Sequence, residues 1–237
     1  MRLNKYISEA GFCSRREADE LITEQRVTLN GVVAVTGSKW LEGMIVCVDD
    51  EEIKLKVTIN NKRKHIYIAL NKPVGITCTT DQNIKGNIID FVDHQERIFP
   101  IGRLDKDSEG LILLTSNGDI VNKILRSENN HEKEYLVGVH KAVNDDFLRV
   151  MARGVHIHGH LTKPCKVSRL AKYGFRIILT QGLNRQIRLM SAALGYKVTQ
   201  LCRIRIVNVL LGQLKPGSWR NLTDKELAGL LPEFKDW

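Results

Sequence analysis

Strand-like apolar runs and amphipathic helical segments follow one another along residues 65–237 without the regular alternation of a βαβ fold. A doubly wound sheet needs a crossover helix between neighbouring parallel strands. The strand-like runs are residues 66–70, 111–115, 135–139, 175–179 and 204–211, and the helical patterns are about 119–125, 144–151, 185–194 and 224–231. This order predicts an α+β domain with a central mixed or antiparallel β-sheet flanked by helices.

A smaller module precedes this domain. The apolar spacing of residues 3–10 predicts a short helix, and Ser14 with Glu17 forms the capping box of a second. Asn30-Gly31 lies between two apolar runs and is typical of a two-residue β-hairpin turn. The predicted organisation is a compact module over residues 1–57, a basic linker over residues 58–64 and a larger domain over residues 65–237.

The composition describes a globular chain with excess positive charge. With 43% hydrophobic and 27% charged residues, disorder throughout is excluded. Lys and Arg number 36 against 27 Asp and Glu, and the resulting net charge of +9 favours a polyanionic partner. No apolar run reaches the roughly 20 residues of a membrane helix, and residues 1–11 lack the apolar core of a signal peptide. We therefore expect a cytoplasmic protein with no membrane partner.

The cysteines and histidines do not favour a metal site. Five cysteines without a C-x-x-C pair indicate neither a disulfide framework nor a zinc site. His156, His158 and His160 would share one side of a strand, but no acidic or cysteine ligand lies beside them and Gly159 interrupts the run. We expect no bound metal.

Two polar clusters stand next to predicted elements. Arg103 and Asp105 lie directly before an apolar strand, where loops commonly hold active-site groups, although composition alone favours a solvated loop with the two side chains paired across it. In the second cluster Asn184 is a predicted N-cap, and Arg185 and Arg188 share one side of the following helix. One of these arginines would bind RNA phosphate and the other would pair with a carboxylate.

Ordered motifs carry a family resemblance over nearly the whole chain. The sequence GRLD at 102–105, followed by GLILLT at 110–115 and NGD at 117–119, resembles the catalytic motif of RsuA-type RNA pseudouridine synthases. The family's other motifs are matched in order by NKPVG at 71–75, KEY at 133–135, GLNRQIRLM at 182–190 and GSWRNLT at 217–223. The N-terminal sequences that resemble an S4 RNA-binding domain are RLNKYI at 2–7, CSRREA at 13–18 and VTLNG at 27–31.

The resemblance implies that the larger domain isomerises uridine in RNA to pseudouridine without a cofactor. The C1′–N1 bond breaks, the uracil rotates, and C5 bonds to C1′. Asp105 is then the catalytic carboxylate, and a guanidinium must hold it ionised: Arg188 matches best and Arg185 is the second choice. Tyr135 would stack on the extruded uracil and assist proton removal at C5, unless it is a cross-strand core aromatic. Arg103 would fill the gap left by the flipped nucleotide or bind phosphate.

In the S4-like module, the expected phosphate contacts are Arg15 and Arg16, with Lys5 and Arg26 as further candidates. Arg15 and Arg16 occupy the first turn of the second predicted helix, where cations oppose the helix dipole unless an anion lies nearby. Within the family, FPIGRLDKDS at 99–108 and the D-x-VNKILR pattern at 119–126 most resemble the RluF type. This resemblance implies 23S large-subunit ribosomal RNA as the partner, with a transfer RNA as a further candidate. We expect a monomer, because the sequence shows no heptad pattern or unexplained apolar face.

Two other classes remain open at this point. A non-catalytic S4 protein that only binds ribosomal RNA would account for the N-terminal module, but it gives no reason for Asp105 and Arg188 in a second domain. A metal-dependent nuclease needs several converging carboxylates, and Asp105 with Asp107 is a poor pair for a divalent ion.

Overall fold

A computed structural model describes residues 1–55, 65–125 and 131–230 of the chain. The chain divides into two compact units, Met1–Arg63 and Lys64–Trp237. The predicted linker over residues 58–64 lies outside the described residues. Within the described ranges, every helix is too short or too polar to span a bilayer.

The N-terminal unit contains two helices and a small antiparallel sheet in the strand order β2-β1-β3-β4. Its elements are α1 (Leu3–Glu9), α2 (Arg15–Thr23), β1 (Val27–Leu29), β2 (Val32–Val33), β3 (Val46–Val48) and β4 (Glu51–Ile53). Apolar residues from both helices and from β1 and β3 form one core, which includes Leu3, Ile7, Ala18, Ile22, Val27 and Val46. Burying these side chains on one face of each short element is what stabilises them, because helices of this length are marginal in isolation.

Two local sequence signals in this unit are confirmed. The Ser14 side chain accepts a hydrogen bond from the Glu17 amide, and the Glu17 side chain accepts one from the Ser14 amide. Asn30 and Gly31 both have positive φ, as a type I′ hairpin turn requires.

The C-terminal unit is built on one large sheet with helices against it. Its helices are α3 (Ile88–Val92), α4 (Gly118–Leu125), α5 (Asp145–Arg153), α6 (Gln186–Ala193) and α7 (Asp224–Leu230). Its strands are β5 (Tyr67–Lys72), β6 (Phe99–Ile101), β7 (Glu109–Thr115), β8 (Lys133–Val139), β9 (His156–Ile157), β10 (His160–Leu161), β11 (Lys166–Ala171), β12 (Gly174–Leu179), β13 (Val198–Ile206), β14 (Val209–Leu210) and β15 (Trp219–Asn221). The order is β11-β12-β8-β13-β7-β5-β15, with β14 on β13 and β6 on β7. Among the described pairs, β13 and β7 run parallel and the others antiparallel, so the predicted mixed sheet is confirmed.

The sheet is buried on both faces at its centre. In β7, Leu111 and Leu113 pack in a core with Ile120 of α4. Ile112 and Leu114 point the other way and pack in a core with α3. A further core lies under α5 and α6 and contains Phe147, Met151, Ile187 and Met190. Alternate strand residues thus feed different cores, which explains why β7 reads as a continuous apolar run.

Several segments differ from the sequence-based expectations. The sequence patterns did not predict α3, β11 or β15. The short strand β6 was not predicted, and it pairs antiparallel with β7. The run 204–211 is two strands, because the chain turns at Val207, whose φ is 52°. The three histidines do not share one side of a strand: β9 and β10 form a hairpin, and His158 lies in its turn with a φ of 49°.

The N-terminus of α7 contains an acid-sensitive ion pair. Glu226 caps the helix together with Thr223 and accepts two hydrogen bonds from Arg220, at 2.7 and 2.8 Å. These bonds, led by those from Arg220, lower the pKa of Glu226 from 4.5 to about 2.

We expect Glu226→Gln to destabilise the protein at neutral pH by about 1 kcal/mol, a modest value because Arg220 is partly exposed to solvent. The folded pKa lies below the unfolded one, so this stabilisation is present above pH 4.5 and is lost as the pH falls toward about 2. Denaturant unfolding at pH 7 and pH 3 measures the effect. A difference between variant and wild type that does not shrink at pH 3 would contradict the assignment.

Candidate active site

The GRLD sequence lies in the loop that joins β6 to β7. Three contacts hold this loop in place: the Leu104 amide donates to Cys78 Sγ at 3.4 Å, the Gly75 amide donates to the Lys106 carbonyl at 2.8 Å, and the Ser108 amide donates to the Asp105 carbonyl at 3.0 Å. The Asp105 side chain remains 27% exposed. A constrained backbone therefore presents this carboxylate where a ligand can reach it.

Two arginines from the start of α6 approach Asp105. Arg185 Nη1 lies 3.7 Å and Arg188 Nε lies 3.9 Å from Asp105 Oδ2. Arg185 also donates two parallel hydrogen bonds to Asp107, at 3.0 and 3.1 Å. This fork, together with the charges of both arginines, lowers the pKa of Asp107. The structure thus joins the two polar clusters of the sequence into one constellation of two carboxylates and two guanidinium groups.

Arg188 is the more enclosed of the two arginines, with 13% of its side chain exposed. Its Nη2 donates to the Asp107 carbonyl at 2.8 Å and to Ser108 Oγ at 2.9 Å. Its Nε is buried and has no hydrogen-bond partner, and it lies 3.4 Å from Asp107 Oδ2 and 3.9 Å from Asp105 Oδ2. A short movement of either carboxylate would satisfy this donor.

The local structure at the start of α6 differs from the prediction. Asn184 is not the N-cap: Arg185 occupies that position with a φ of 48° and makes no side-chain cap. The buried Gln186 side chain instead accepts a hydrogen bond from the Leu183 amide at 3.0 Å. Arg185, with its left-handed backbone, is therefore the last residue before α6, and its side chain contacts Asp105 and Asp107.

Tyr135 and Arg103 both contact Arg203. Tyr135 is half-buried on β8, opposite Arg203 on β13, whose guanidinium carbon is 5.9 Å from the ring centroid. Tyr135 also packs against two of the apolar cores, so the cross-strand aromatic role is present. Arg103 is exposed, and its side chain does not form the ion pair with Asp105 that composition favoured. Its carbonyl accepts a hydrogen bond from Arg203.

Three buried cations near this site were missed by the sequence reasoning: Lys72, Lys133 and Arg203, which are 0%, 9% and 4% exposed. Burial lowers the pKa of Lys72, the charge of Arg203 lowers it further, and the charges of Cys78, Asp105 and Asp107 oppose this. Burial and Arg203 also lower the pKa of Lys133. The signal that could have found Arg203 is a pair of arginines two residues apart, Arg203 and Arg205, in an apolar strand.

A basic cavity of about 490 Å³ adjoins the constellation. Its lining includes Arg185, Arg188, Asp107, His140, Tyr196 and Lys197. Lys141 adds a further cation, with its Nζ 4.2 Å from the centre of the Tyr196 ring. The cavity therefore offers positive charge and room beside Asp105, which suits a polyanionic chain.

In the N-terminal unit the four predicted phosphate contacts differ in their surroundings. Arg15 and Arg16 are exposed at the start of α2, and neither has an ion-pair partner among residues 1–55, 65–125 and 131–230. Lys5 pairs with Glu9 at 3.4 Å. Arg26 donates a fork of hydrogen bonds to Asp49, and this contact raises its pKa. Arg15 and Arg16 are thus the cations that remain available to an external anion.

Comparison with known proteins identifies the families of both units. Residues 66–193 match the model of the RNA pseudouridylate synthase family, and residues 1–46 match the S4 domain. The chain is 55% identical to the dual-specificity RNA pseudouridine synthase RluF of Salmonella typhi, over 97% of this chain and 78% of that protein. It is 35% identical to the ribosomal large subunit pseudouridine synthase B of Bacillus subtilis, over 97% and 95%.

A solved structure supports the same relationship. A crystal structure of a pseudouridylate synthase superposes with a TM-score of 0.70 at 31% identity, covering 97% of this chain and 99% of that one. Because the family model spans more than half of the chain and close relatives span nearly all of it, the protein belongs to the RNA pseudouridylate synthase family and is an RNA pseudouridine synthase with an N-terminal S4 domain.

Proposed function

We propose that Asp105 is the catalytic carboxylate of this enzyme and that it acts on a uridine of 23S large-subunit ribosomal RNA. The observation that carries the catalytic part is the convergence of Arg185 and Arg188 on Asp105, both within 4 Å of Oδ2. Two guanidinium groups at this distance place positive charge beside the carboxylate that would meet the ribose.

The ionised Asp105 would meet the ribose of a flipped-out uridine. The C1′–N1 bond breaks, the uracil turns, and a C5–C1′ bond forms. The proton on C5 leaves and N1 gains one, so no oxidant, reductant or group donor is consumed. Arg188 is the proposed partner that holds the carboxylate, because it is the more enclosed arginine and its unpaired Nε lies 3.9 Å from Asp105 Oδ2, although the same atom lies 3.4 Å from Asp107 Oδ2. Arg185 divides its contacts between Asp105 and Asp107, and we propose that it also meets RNA phosphate.

Tyr135 and Arg103 have proposed roles on the nucleotide itself. A uridine stacked in a helix is inaccessible, so it must be extruded at a cost of a few kcal/mol. The exposed Arg103 side chain, free of ion pairs within the described parts of the chain, is suited to fill the gap or to bind phosphate. Tyr135 is half-buried, and its exposed part would stack on the uracil and assist removal of the C5 proton.

The substrate proposal rests on the relatives. The RluF proteins are named for dual specificity, and the Bacillus subtilis relative is named for the large ribosomal subunit. We therefore propose large-subunit ribosomal RNA as the main substrate, a transfer RNA as the second, and a monomeric enzyme in the cytoplasm.

Pseudouridine mapping tests the proposed substrate. Ribosomal and transfer RNA from cells that lack the protein should lose modification at one or two positions. Wild-type protein should restore them, and Asp105→Asn should not. Loss confined to small-subunit RNA, or no loss at all, would overturn the substrate assignment.

The proposed RNA contact of the N-terminal unit has a separate test. We expect Arg15→Glu with Arg16→Glu to weaken RNA binding and to flatten its dependence on salt concentration, because fewer phosphate counterions are released. The slope of log K against log salt should fall by about 2, one unit for each phosphate contact. Arg15→Lys with Arg16→Lys keeps both charges and is the matched control. An unchanged slope in the glutamate variant would remove these residues from the interface.

A further inference from the structure

Arg203 is a buried cation to which the proposed chemistry gives no role. It lies on β13, is 4% exposed, and its Nη2 is buried without a hydrogen-bond partner. Burying a guanidinium with an unpaired donor costs stability, and an apolar side chain at such a position is commonly neutral or favourable. Arg203 also lies close enough to Lys72 and Lys133 to lower the pKa of both amines. For folding alone, this side chain is an unfavourable choice.

The contacts of Arg203 bracket the loop that carries Asp105. Its Nε donates to the Leu111 carbonyl at 2.7 Å, and its Nη1 donates to the Arg103 carbonyl at 3.4 Å. One acceptor precedes Asp105 by two residues and the other follows it by six. A single planar guanidinium therefore contacts carbonyl groups on both sides of Asp105. The ammonium group of a lysine lacks this planar fork and is less suited to hold both acceptors at once.

The backbone of Arg203 meets the same loop. β13 and β7 run parallel, with Arg203 paired to Gly110. A Cβ on Gly110 would lie 2.3 Å from the Arg203 carbonyl oxygen and 2.7 Å from its amide nitrogen. This approach, which only glycine permits, places the loop's C-terminal end directly on the strand that carries the arginine.

We propose that Arg203 is a positioning residue for the isomerisation: it holds the backbone at Arg103 in the loop and at Leu111 in β7, and so places the Asp105 carboxylate against Arg185 and Arg188. The inference rests on the proposed role of Asp105. A positioning role explains why the stability cost of burying the Arg203 charge is tolerated. Buried polar groups that are unfavourable for folding are expected where a functional site must be held rigid. A displacement of about 1 Å in a reacting group costs on the order of 100-fold in rate.

The test compares Arg203→Lys and Arg203→Met with wild type in steady-state turnover of a 23S ribosomal RNA transcript. Arg203→Lys keeps the charge and loses the fork, and we expect kcat to fall about 10-fold to 100-fold while KM changes by less than about 3-fold. Arg203→Met should lose at least as much. Arg205→Lys is the matched control: Arg205 lies on the same strand, pairs with Glu132 and Glu134, and should keep wild-type kcat.

Hydrogen exchange supplies a readout that separates positioning from general destabilisation. In Arg203→Lys, the Leu104 and Ser108 amides should exchange faster, whereas amides of β8 and β12 should not. This readout also applies if Arg203→Met fails to fold. Wild-type kcat in Arg203→Lys, a rise in KM with unchanged kcat, or equally faster exchange across the sheet would each overturn the proposal. If Asp105→Asn stays active, the proposed function fails instead, independently of Arg203.

Discussion

Asp105→Asn should abolish pseudouridine formation, by at least about 10³-fold in kcat, while folding and RNA binding persist. Asparagine has nearly the same shape as aspartate but lacks the negative charge that meets the ribose. Asp105 is 27% exposed and its two arginine contacts are longer than 3.5 Å, so the substitution breaks no short hydrogen bond. Release of the C5 hydrogen from labelled uridine in RNA measures turnover, and a filter-binding assay measures affinity.

Asp107→Asn is the matched control for this prediction. It removes the acceptor of the Arg185 fork, two residues further along the same loop. We expect activity to fall by no more than about 10-fold, because the effect reaches the reaction only indirectly, through Arg185 and Arg188, which both pair with Asp107. If Asp107→Asn were inactive and Asp105→Asn active, the catalytic carboxylate would be Asp107. If both variants kept wild-type turnover, neither carboxylate would take part in the reaction.

Gly110→Ala should destabilise the C-terminal unit more than the other substitutions in this chain that we consider. The added Cβ would lie 2.3 Å from the Arg203 carbonyl oxygen, and the φ of Gly110 is 102°, which side chains other than glycine rarely adopt. Strain and displacement of backbone atoms together predict a loss of about 3–5 kcal/mol. In a unit of this size the melting temperature should fall by roughly 10 °C.

Gly159→Ala separates the two causes. Gly159 also has a positive φ, of 76°, but no atom lies within 4 Å of its added Cβ. We expect this variant to lose only about 1 kcal/mol, from backbone strain alone. Urea unfolding of both variants measures the difference. Equal losses would mean that β7 and β13 can move apart at no cost in free energy. The close approach of Gly110 to Arg203 would then not contribute to the destabilisation.

Several signals carried by adjacent residues were read correctly from the sequence, although the predicted N-cap Asn184 was not. The capping box of α2 and the Asn30-Gly31 turn depend on residues within three positions of each other, so the sequence contains their whole cause. The mixed sheet was also predicted, because the irregular order of strands and helices excludes a doubly wound fold. β6 was missed because its three residues pair only with β7, and a strand that short carries no periodicity of its own.

The candidate site divides in the same way. The motifs identify the family without coordinates, and from them we predict that Asp105, Arg185 and Arg188 serve one reaction. Only the tertiary structure decided that Arg185 forks onto Asp107, that Arg188 leaves one donor unpaired, and that Arg203 contacts carbonyl groups on both sides of Asp105. The physical reason is sequence separation: these contacts join residues about 80 to 100 positions apart, and their distances depend on how β7, β13 and α6 pack, which no local pattern records.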